Sequence, residues 1–209
     1  MKYRLLIKKL NIIEDKFITS DEIKKYCSIL KIDYPDVIKY LVRHRYLHPI
    51  MRGIFYNASL TERKWNSFDI NYRDAFIKAL EIKGIKNWYF GLETAIKFNN
   101  LTHEFFVVDF IINDKIGRAK PLEVFGNKIK MVKLKPGLFR FGIKKSKKFR
   151  YSDVEKTVLD MIYLKRYGGL DDSTIADYIK SYLEHCSKEK LKRYARKYNN
   201  KMGEFIKSL

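Results

Sequence analysis

Two carboxylates, Asp109 and Glu123, lie on neighbouring predicted strands, as the metal-binding acids of a restriction-type nuclease would. A basic chain would also suit an enzyme that acts on nucleic acid. Position 125, where that chemistry needs a lysine to activate water, is however Phe125. We therefore expect Asp109 to be a paired or solvated carboxylate at a strand end, and we expect no catalysis and no cofactor.

The other residues that could do chemistry are scattered. His44 and His48 have the i, i+4 spacing of a metal pair, but His48 precedes Pro49, which disfavours a helix at that point. Cys27 and Cys186 lie far apart, with no further cysteine and no clustered histidine beside them. The sequence predicts neither a metal site nor a disulfide framework, and this favours a reduced, cytoplasmic setting.

The charge of the chain indicates its partner more clearly than any catalytic motif. The net charge is +20 and the pI is about 9.8, which favours an anionic partner, nucleic acid before a membrane surface or an acidic protein. The longest apolar run, FFVVDFII at 105–112, is too short to span a bilayer. We expect a soluble protein that is not in the membrane.

Nearly half of the excess charge lies in one segment. Residues 122–150 hold ten basic and one acidic side chain, which is +9 of the +20. The densest part is the basic block, defined as Lys144, Lys145, Lys147, Lys148 and Arg150. This block could be a second nucleic-acid contact, a site for an acidic partner, or a solvated loop.

The first sixty residues predict three helices followed by a hairpin. Leu5, Leu6, Ile7 and Leu10 suggest a first apolar stripe, and Thr19 with Glu22 forms a capping-box pattern that starts a second helix. A third helix should begin near Pro35, with Val37, Ile38, Leu41 and Val42 on one side and Asp36, Lys39, Tyr40 and Arg43 on the other.

Behind the third helix, Leu47–Ile50 and Ile54–Asn57 predict two strands joined through Arg52 and Gly53. Three helices and a hairpin in this order are typical of a winged helix-turn-helix, in which the third helix enters the major groove and the hairpin reaches the backbone or the minor groove. Arg52 would supply the cation at the hairpin tip. Tyr40 and Phe55 would be the aromatic residues best placed to meet nucleic acid.

The remainder of the chain predicts a second domain of mixed α/β type that ends in helices. We expect helices at 71–83 and 91–99, and strands at 88–90, 105–112, 122–124, 128–134 and 138–141. Ser152 and Glu155 form a second capping-box pattern before a helix that ends at Gly168 and Gly169. Three more helices should follow at about 173–184, 188–198 and 201–208. The predicted class is α+β, with domains at 1–60 and 66–209.

Several stretches of the chain resemble the AbiEi-type antitoxin family. They are GLETAIKFNNLT at 91–102, FRFGIKKSKKFRYSDVEKTVLDMIYLKRYGG at 139–169, and SKEKLKRYARKYNNKMGEFIKSL at 187–209. The N-terminal helices and the RGIFYN hairpin at 52–57 resemble the winged-helix domain of the same family. The most specific elements are the D-x-E-K-T-x-x-D-x-x-Y helix with its Gly-Gly end, and the R-G-x-F/Y hairpin.

The resemblance implies a DNA-binding antitoxin that represses its own operon, is encoded beside a nucleotidyltransferase-like toxin, and acts in abortive infection. It also implies that DNA contacts fall within Thr19–Lys25, Lys39–Arg45 and Arg52, and that the basic block matches a positively charged part of the family's C-terminal region. The candidate DNA-binding residues are Thr19, Ser20, Lys24, Lys25, Lys39, Tyr40, Arg43, Arg45 and Arg52.

The function predicted from these observations is a sequence-specific repressor of its own operator that serves as the antitoxin of a toxin-antitoxin pair. Lys39, Tyr40 and Arg43 would face the major groove, while Lys24 and Lys25 would contact phosphate. The alternative is a non-catalytic interaction module whose basic block binds an acidic protein or structured RNA.

Overall fold

A computed structural model describes residues 2–146 and 148–209 of the chain. The chain divides into two compact units. The first holds the described residues up to Gly84 together with Leu122–Asn127, and the second holds Ile85–Pro121 and Lys128–Leu209. Both units contain helices and β-strands, so the predicted α+β class is confirmed.

The first unit contains five helices, three of them before the hairpin. Its elements in chain order are α1 (Lys2–Ile12), β1 (Phe17–Thr19), α2 (Ser20–Leu30), α3 (Tyr34–Arg43), β2 (Leu47–Met51), β3 (Ile54–Asn57), α4 (Leu60–Trp65), α5 (Tyr72–Ile82) and the short β6 (Leu122–Val124). Strands β1, β3 and β2 form an antiparallel sheet in that order, with Phe17 opposite Tyr56 and Leu47 opposite Asn57. The three predicted helices and the predicted hairpin are confirmed as elements.

Local sequence explains where α2 and α3 begin. Thr19 and Glu22 form the predicted capping box, in which the Thr19 hydroxyl accepts from the Glu22 N–H and the Glu22 carboxylate accepts from the Thr19 N–H. Helix α2 ends at Leu30, and its C-cap residue Lys31 has a left-handed φ of 51°. Asp33 then caps α3 through the Asp36 N–H, and Pro35 occupies the first turn as predicted.

The core of this unit lies between the three helices and the sheet. It is built mainly from Leu6, Leu10, Ile18, Ile23, Cys27, Val37, Leu41, Leu47 and Phe55. Leu5 is 55% exposed, so the predicted apolar stripe of α1 is narrower than the sequence suggested. Phe55 is buried in the core, and the prediction that it meets nucleic acid is therefore wrong.

The second unit is built on a mixed sheet covered by helices. Its elements are β4 (Trp88–Phe90), α6 (Leu92–Phe98), β5 (Val108–Asn113), β7 (Asn127–Lys133), a 3-10 turn (Pro136–Phe139), β8 (Ile143–Lys145), β9 (Arg150–Ser152), α7 (Val154–Tyr167), α8 (Asp172–Leu183), α9 (Lys188–Ala195) and α10 (Asn200–Ser208). The strand order is β7, β5, β4, β9, β8. Strand β5 is parallel to β7, β4 is parallel to β9, and the two remaining pairs are antiparallel. Helix α7 supplies buried residues to the core from most of its length.

Three local predictions in this unit are wrong. Residues 138–141 are not a strand, because Pro136 favours the first turn of a 3-10 helix that runs to Phe139. Strand β5 begins at Val108, three residues later than predicted, and residues 101–105 have no regular structure. Helix α7 is capped by Asp153 rather than by Ser152, which lies in β9 with its hydroxyl 2.6 Å from the Thr157 hydroxyl.

Candidate nucleic-acid interface

The first turns of α2 and α3 and the tip of the β2–β3 hairpin meet at Ser20. The Ser20 N–H donates to the Gly53 carbonyl over 2.9 Å, and the Tyr34 hydroxyl donates to Ser20 Oγ over 2.8 Å. Gly53 has a φ of 77°, and a Cβ at this position would lie 3.2 Å from Ser20 Oγ. The hairpin tip is thus tied by its backbone to the start of α2, and α2 is tied by a side chain to the start of α3.

Four predicted DNA-binding cations lie exposed on these elements. Lys25 is on α2, Lys39 and Arg43 are one helical turn apart on α3, and Arg52 is at the hairpin tip. Within the part of the chain that the structure describes, none of the four takes part in an ion pair or a side-chain hydrogen bond. Their charges are therefore available to an external anion.

Lys24 is more constrained than these four cations. Its Nζ lies 3.3 Å from an Asp21 carboxylate oxygen and 5.5 Å from the centroid of the Tyr34 ring. Both side chains of the Lys24–Asp21 pair are largely exposed, so the pair is weak and screened by salt. A phosphate could compete with Asp21 for Lys24.

Three other predicted contact residues have structural roles. Thr19 uses its hydroxyl in the capping box of α2. Arg45 has a φ of 59° and donates to Asn66 Oδ1 over 3.1 Å. Tyr40 is half-buried, with its ring centroid 4.9 Å from that of Tyr3, 4.3 Å from that of His44 and 6.5 Å from that of Tyr46. Only part of the Tyr40 ring is open to solvent.

The basic block in the second unit is divided between two strands and their connection. Lys144 and Lys145 lie in β8, Arg150 lies in β9, and Lys147 falls outside the described residues. Lys144 Nζ donates to Asn99 Oδ1 over 2.9 Å. Arg150 donates to the Lys86 carbonyl over 2.9 Å and stacks 4.7 Å above the Trp88 ring, and its burial lowers its pKa. Of the described members, Lys145 and Lys148 are exposed cations without such contacts.

The residues that could have formed a nuclease centre have other surroundings. Asp109 is buried, and its carboxylate accepts from Thr94 Oγ1 over 3.4 Å, while Glu123 is exposed. The His48 ring packs edge-on against Phe68, and burial lowers its pKa. Among residues 2–146 and 148–209, no three His, Cys, Asp or Glu side chains are grouped so that they could hold a metal ion.

A buried ionic cluster in the second unit was not foreseen from the sequence. Lys156 and Asp160 lie one turn apart on α7, both fully buried, with Nζ 2.9 Å from Oδ1. Asp160 also accepts from the hydroxyls of Tyr89, over 2.7 Å, and Tyr198, over 2.6 Å. Lys156 Nζ donates to Tyr198 and lies 4.9 Å from the Phe141 ring centroid. A lysine and an aspartate at i, i+4 among apolar residues were the sequence signal for this pair.

The groups of this cluster stabilise each other, and the Lys156–Asp160 ion pair at its centre is fully buried. Burial lowers the pKa of Lys156, and the charge of Asp160 opposes that shift. Burial and Asp160 together raise the pKa of Tyr89 and of Tyr198 well above the ordinary value, so both hydroxyls stay protonated and donate. The cluster joins α7 to β4 and to the segment between α9 and α10, and it is enclosed by side chains of the core.

Comparison with known proteins adds little to this description. No protein-family model and no curated protein matches the chain. Among solved structures, the chain is similar to the crystal structure of the RV2827C protein from Mycobacterium tuberculosis, with a TM-score of 0.49 and 11% sequence identity. That match covers 98% of this chain and 77% of the other. These comparisons do not show a family for the chain.

No helix in the described part of the chain combines the length and the apolar character that crossing a bilayer requires.

Proposed function

We propose that the first unit is a winged helix-turn-helix that binds double-stranded DNA. The observation that carries this proposal is a set of four exposed cations, Lys25, Lys39, Arg43 and Arg52, which make no ion pair with any described residue. They lie on three elements that hydrogen bonds through Ser20 hold together. The element order and the three-stranded antiparallel sheet support it. Duplex DNA is the anion that matches cations spread over a helix and an adjacent hairpin.

In this proposal α3 enters the major groove. Its ten residues span about 15 Å, which a groove about 12 Å wide accommodates when the helix lies along it. Lys39 and Arg43 share one face of α3, and a bidentate contact from an arginine to guanine is the commonest base-specific contact in that groove. Lys25 would contact phosphate, and Arg52 would follow the backbone or enter the minor groove.

The biological role we propose is repression of the protein's own operon, coupled to antagonism of a nucleotidyltransferase-like toxin. Repression follows directly from a sequence-specific winged helix seated on an operator. The antitoxin role is supported by the resemblance of the 139–169 and 187–209 stretches to AbiEi-type antitoxins. The role requires no catalysis and no cofactor, because binding alone blocks transcription.

The dependence of DNA binding on salt tests the proposed interface. Each neutralised phosphate contributes about 0.9 to the slope of log affinity against log salt. Replacing Lys25 and Arg52 with alanine should therefore lower the slope by up to about 2. The control is Lys192→Ala with Lys207→Ala, which removes two exposed cations from the C-terminal helices. An equal decrease of this slope in both double variants would show that the total charge, and not this interface, makes the contact.

The alternative is an interaction module that uses the basic block, and one observation favours it. Lys145 and Lys148 are exposed, and within the described residues they make no ion pair. This alternative predicts that the double variant Lys145→Glu with Lys148→Glu no longer binds structured RNA or an acidic protein, while its binding to duplex DNA is unchanged. The support is weaker than for the winged helix, because Lys144 and Arg150 are already engaged by groups of their own unit.

A further inference from the structure

An acidic, aromatic cavity in the second unit contrasts with the charge of the chain. The cavity has a volume of about 520 Å³. Two carboxylates and four aromatic rings form most of its wall, from Glu93, Glu104, Phe106, Phe110, Tyr178 and Tyr182. Within the described part of the chain no lysine or arginine lines it, although the chain carries a net charge of +20. Its lining is therefore suited to a cation rather than to an anion.

Two helices position the polar groups of this cavity. Glu93 lies in the first turn of α6, where the helix dipole favours a negative charge. Tyr178 and Tyr182 are one turn apart on α8, with ring centroids 6.4 Å apart and planes inclined by 67°. The Tyr178 hydroxyl donates to Glu93 Oε1 over 3.3 Å and so joins the two helices across the cavity. These side chains form two adjacent walls, one carboxylate and one aromatic.

One oxygen of this carboxylate has no hydrogen-bond partner. Glu93 Oε2 is buried, and within residues 2–146 and 148–209 nothing donates to it. Buried carboxylate oxygens in folded proteins are nearly always hydrogen-bonded, because leaving one unpaired is costly. A cation in the cavity would compensate the charge of the Glu93 carboxylate without touching the buried Oε2 itself.

We propose that this cavity binds the guanidinium group of an arginine that belongs to a partner protein. A guanidinium is planar, carries donors in a fork that suits carboxylates, and stacks on tyrosine rings, so it matches both walls. An arginine presented by a protein, rather than a free small cation, fits the apolar rim. Val107 in the cavity wall and Phe105, two residues before it, are 65% and 81% exposed, and they would contact the residues that flank the arginine.

The neighbouring groups are consistent with a cation site at neutral pH. Burial, together with the charges of Glu93 and Glu104, raises the pKa of Tyr178, so its hydroxyl remains a donor to Glu93. Burial and the same carboxylates also raise the pKa of Tyr182. Lys165, which is not part of the cavity lining, places its Nζ 3.4 Å from the Tyr178 ring centroid, so this ring already attracts one cation.

The test is a titration of the full chain with the peptide acetyl-Gly-Arg-Leu-amide, followed through the NMR signals of the Tyr178 and Tyr182 rings. The comparison ligands are acetyl-Gly-Gln-Leu-amide and spermidine. The variants are Glu93→Gln, which keeps the size of the side chain, and Asp177→Asn as a matched control, since Asp177 is exposed on α8 and does not line the cavity. No DNA is present, so the result is independent of the proposed winged helix.

The proposal predicts saturable binding of the arginine peptide, no binding of the glutamine peptide, and an affinity about tenfold weaker in Glu93→Gln but unchanged in Asp177→Asn. Equal binding of the two peptides, or undiminished binding by Glu93→Gln, would overturn it. Stronger binding of spermidine than of the arginine peptide would also overturn it, because the cavity would then belong to a free polyamine.

Discussion

At the scale of single residues, the second unit depends on an ion pair that has no access to water. Lys156 and Asp160 are each 0% exposed, and among the described residues their polar partners are each other and tyrosine hydroxyls. Such a pair costs desolvation energy when it forms, and removing one partner leaves the other as an uncompensated buried charge. Its contribution to stability is therefore conditional on both partners being present.

Lys156→Met should lower the free energy of unfolding by about 3–5 kcal/mol, because Asp160 would keep its charge without its cation. The double variant Lys156→Met with Asp160→Leu should recover part of this loss, since it removes both charges and leaves apolar groups. Urea unfolding at neutral pH measures both values. The control Lys78→Ala breaks the exposed Lys78–Glu81 pair and should cost less than about 1 kcal/mol. A double variant less stable than Lys156→Met would contradict this account.

The sequence predicts the identity and spacing of such a buried pair, but not its burial. The identity and spacing of Lys156 and Asp160 are visible in the sequence, but i, i+4 pairs of opposite charge are usually exposed. Their burial depends on Tyr198, which is 38 residues from Asp160 and reaches it because α9 packs on α7 and α10 packs on α9. Likewise, the contact from Tyr34 to Ser20 needs the tertiary arrangement of α2 and α3.

At the scale of elements, Glu62 both caps α4 and hydrogen-bonds to residues outside that helix. Ser59 and Glu62 form a capping box, and the Glu62 side chain is buried. Glu62 accepts from the Asp69 N–H over 3.0 Å, from Lys16 Nζ over 2.7 Å and from the Tyr56 hydroxyl over 2.5 Å. Burial alone would raise the pKa of Glu62, but these hydrogen bonds outweigh it and lower the pKa to about 2.

The lowered pKa predicts a pH dependence of stability. A carboxyl group that is more acidic in the folded state stabilises the fold at every pH above its unfolded value of 4.5, and the contribution is lost as the pH falls from there towards 2. The contribution of Glu62 to the free energy of unfolding is on the order of 3 kcal/mol.

Glu62→Gln keeps a capping-box side chain without the charge. The difference in unfolding free energy between wild type and this variant should be largest at pH 7 and shrink below pH 4.5, as measured by urea unfolding. A difference that stays constant from pH 7 to pH 3 would contradict the assignment.

The hairpin tip depends on one glycine. Gly53 has a left-handed φ, its carbonyl receives the Ser20 N–H, and an added Cβ would press on Ser20 Oγ. Gly53→Ala should therefore cost about 1–2 kcal/mol of stability and weaken duplex binding by displacing Arg52. Gly137→Ala is the matched control, because its φ is not left-handed and no atom lies within 4 Å of the added Cβ. Thermal unfolding and duplex titration of both variants measure the effect. Unchanged duplex binding by Gly53→Ala would argue against a role for the hairpin tip.

Elements were predicted best where their signals are local. The capping box of Thr19 and Glu22, the start of α3 near Pro35 and the Gly53 turn each depend on signals within a few residues, and each forms as predicted. The Ser152–Glu155 pattern looks the same in sequence, but pairing of β9 buries Ser152 and moves the cap to Asp153. Glu155 instead contacts Lys190, which lies 35 residues away on α9. The pairing of β9 therefore decides that Asp153, and not its neighbour Ser152, caps α7.

At the scale of the whole molecule, exposed cations without an ion pair occur in both units. Among the described residues they include Lys25, Lys39, Arg43 and Arg52 in the first unit and Lys145, Lys148, Lys192 and Lys207 in the second. The four in the first unit differ because they lie on α2, α3 and the hairpin tip, which hydrogen bonds through Ser20 hold together. The sequence alone does not separate free cations from engaged ones, because both are the same residue types. This arrangement is why we propose DNA binding for the first unit rather than for the basic block.

The measurement that tests this assignment most directly is binding to a duplex of the gene's own upstream region and to a scrambled duplex, across a salt series, by wild type, Arg43→Glu, Arg52→Glu and the control Lys207→Glu. We predict a clear preference of the wild type for the native duplex, a loss of at least about tenfold in affinity for it in each of the two interface variants, and no loss in the control. Equal and steeply salt-dependent binding to both duplexes, unaffected by Arg43→Glu and Arg52→Glu, would contradict the winged-helix account.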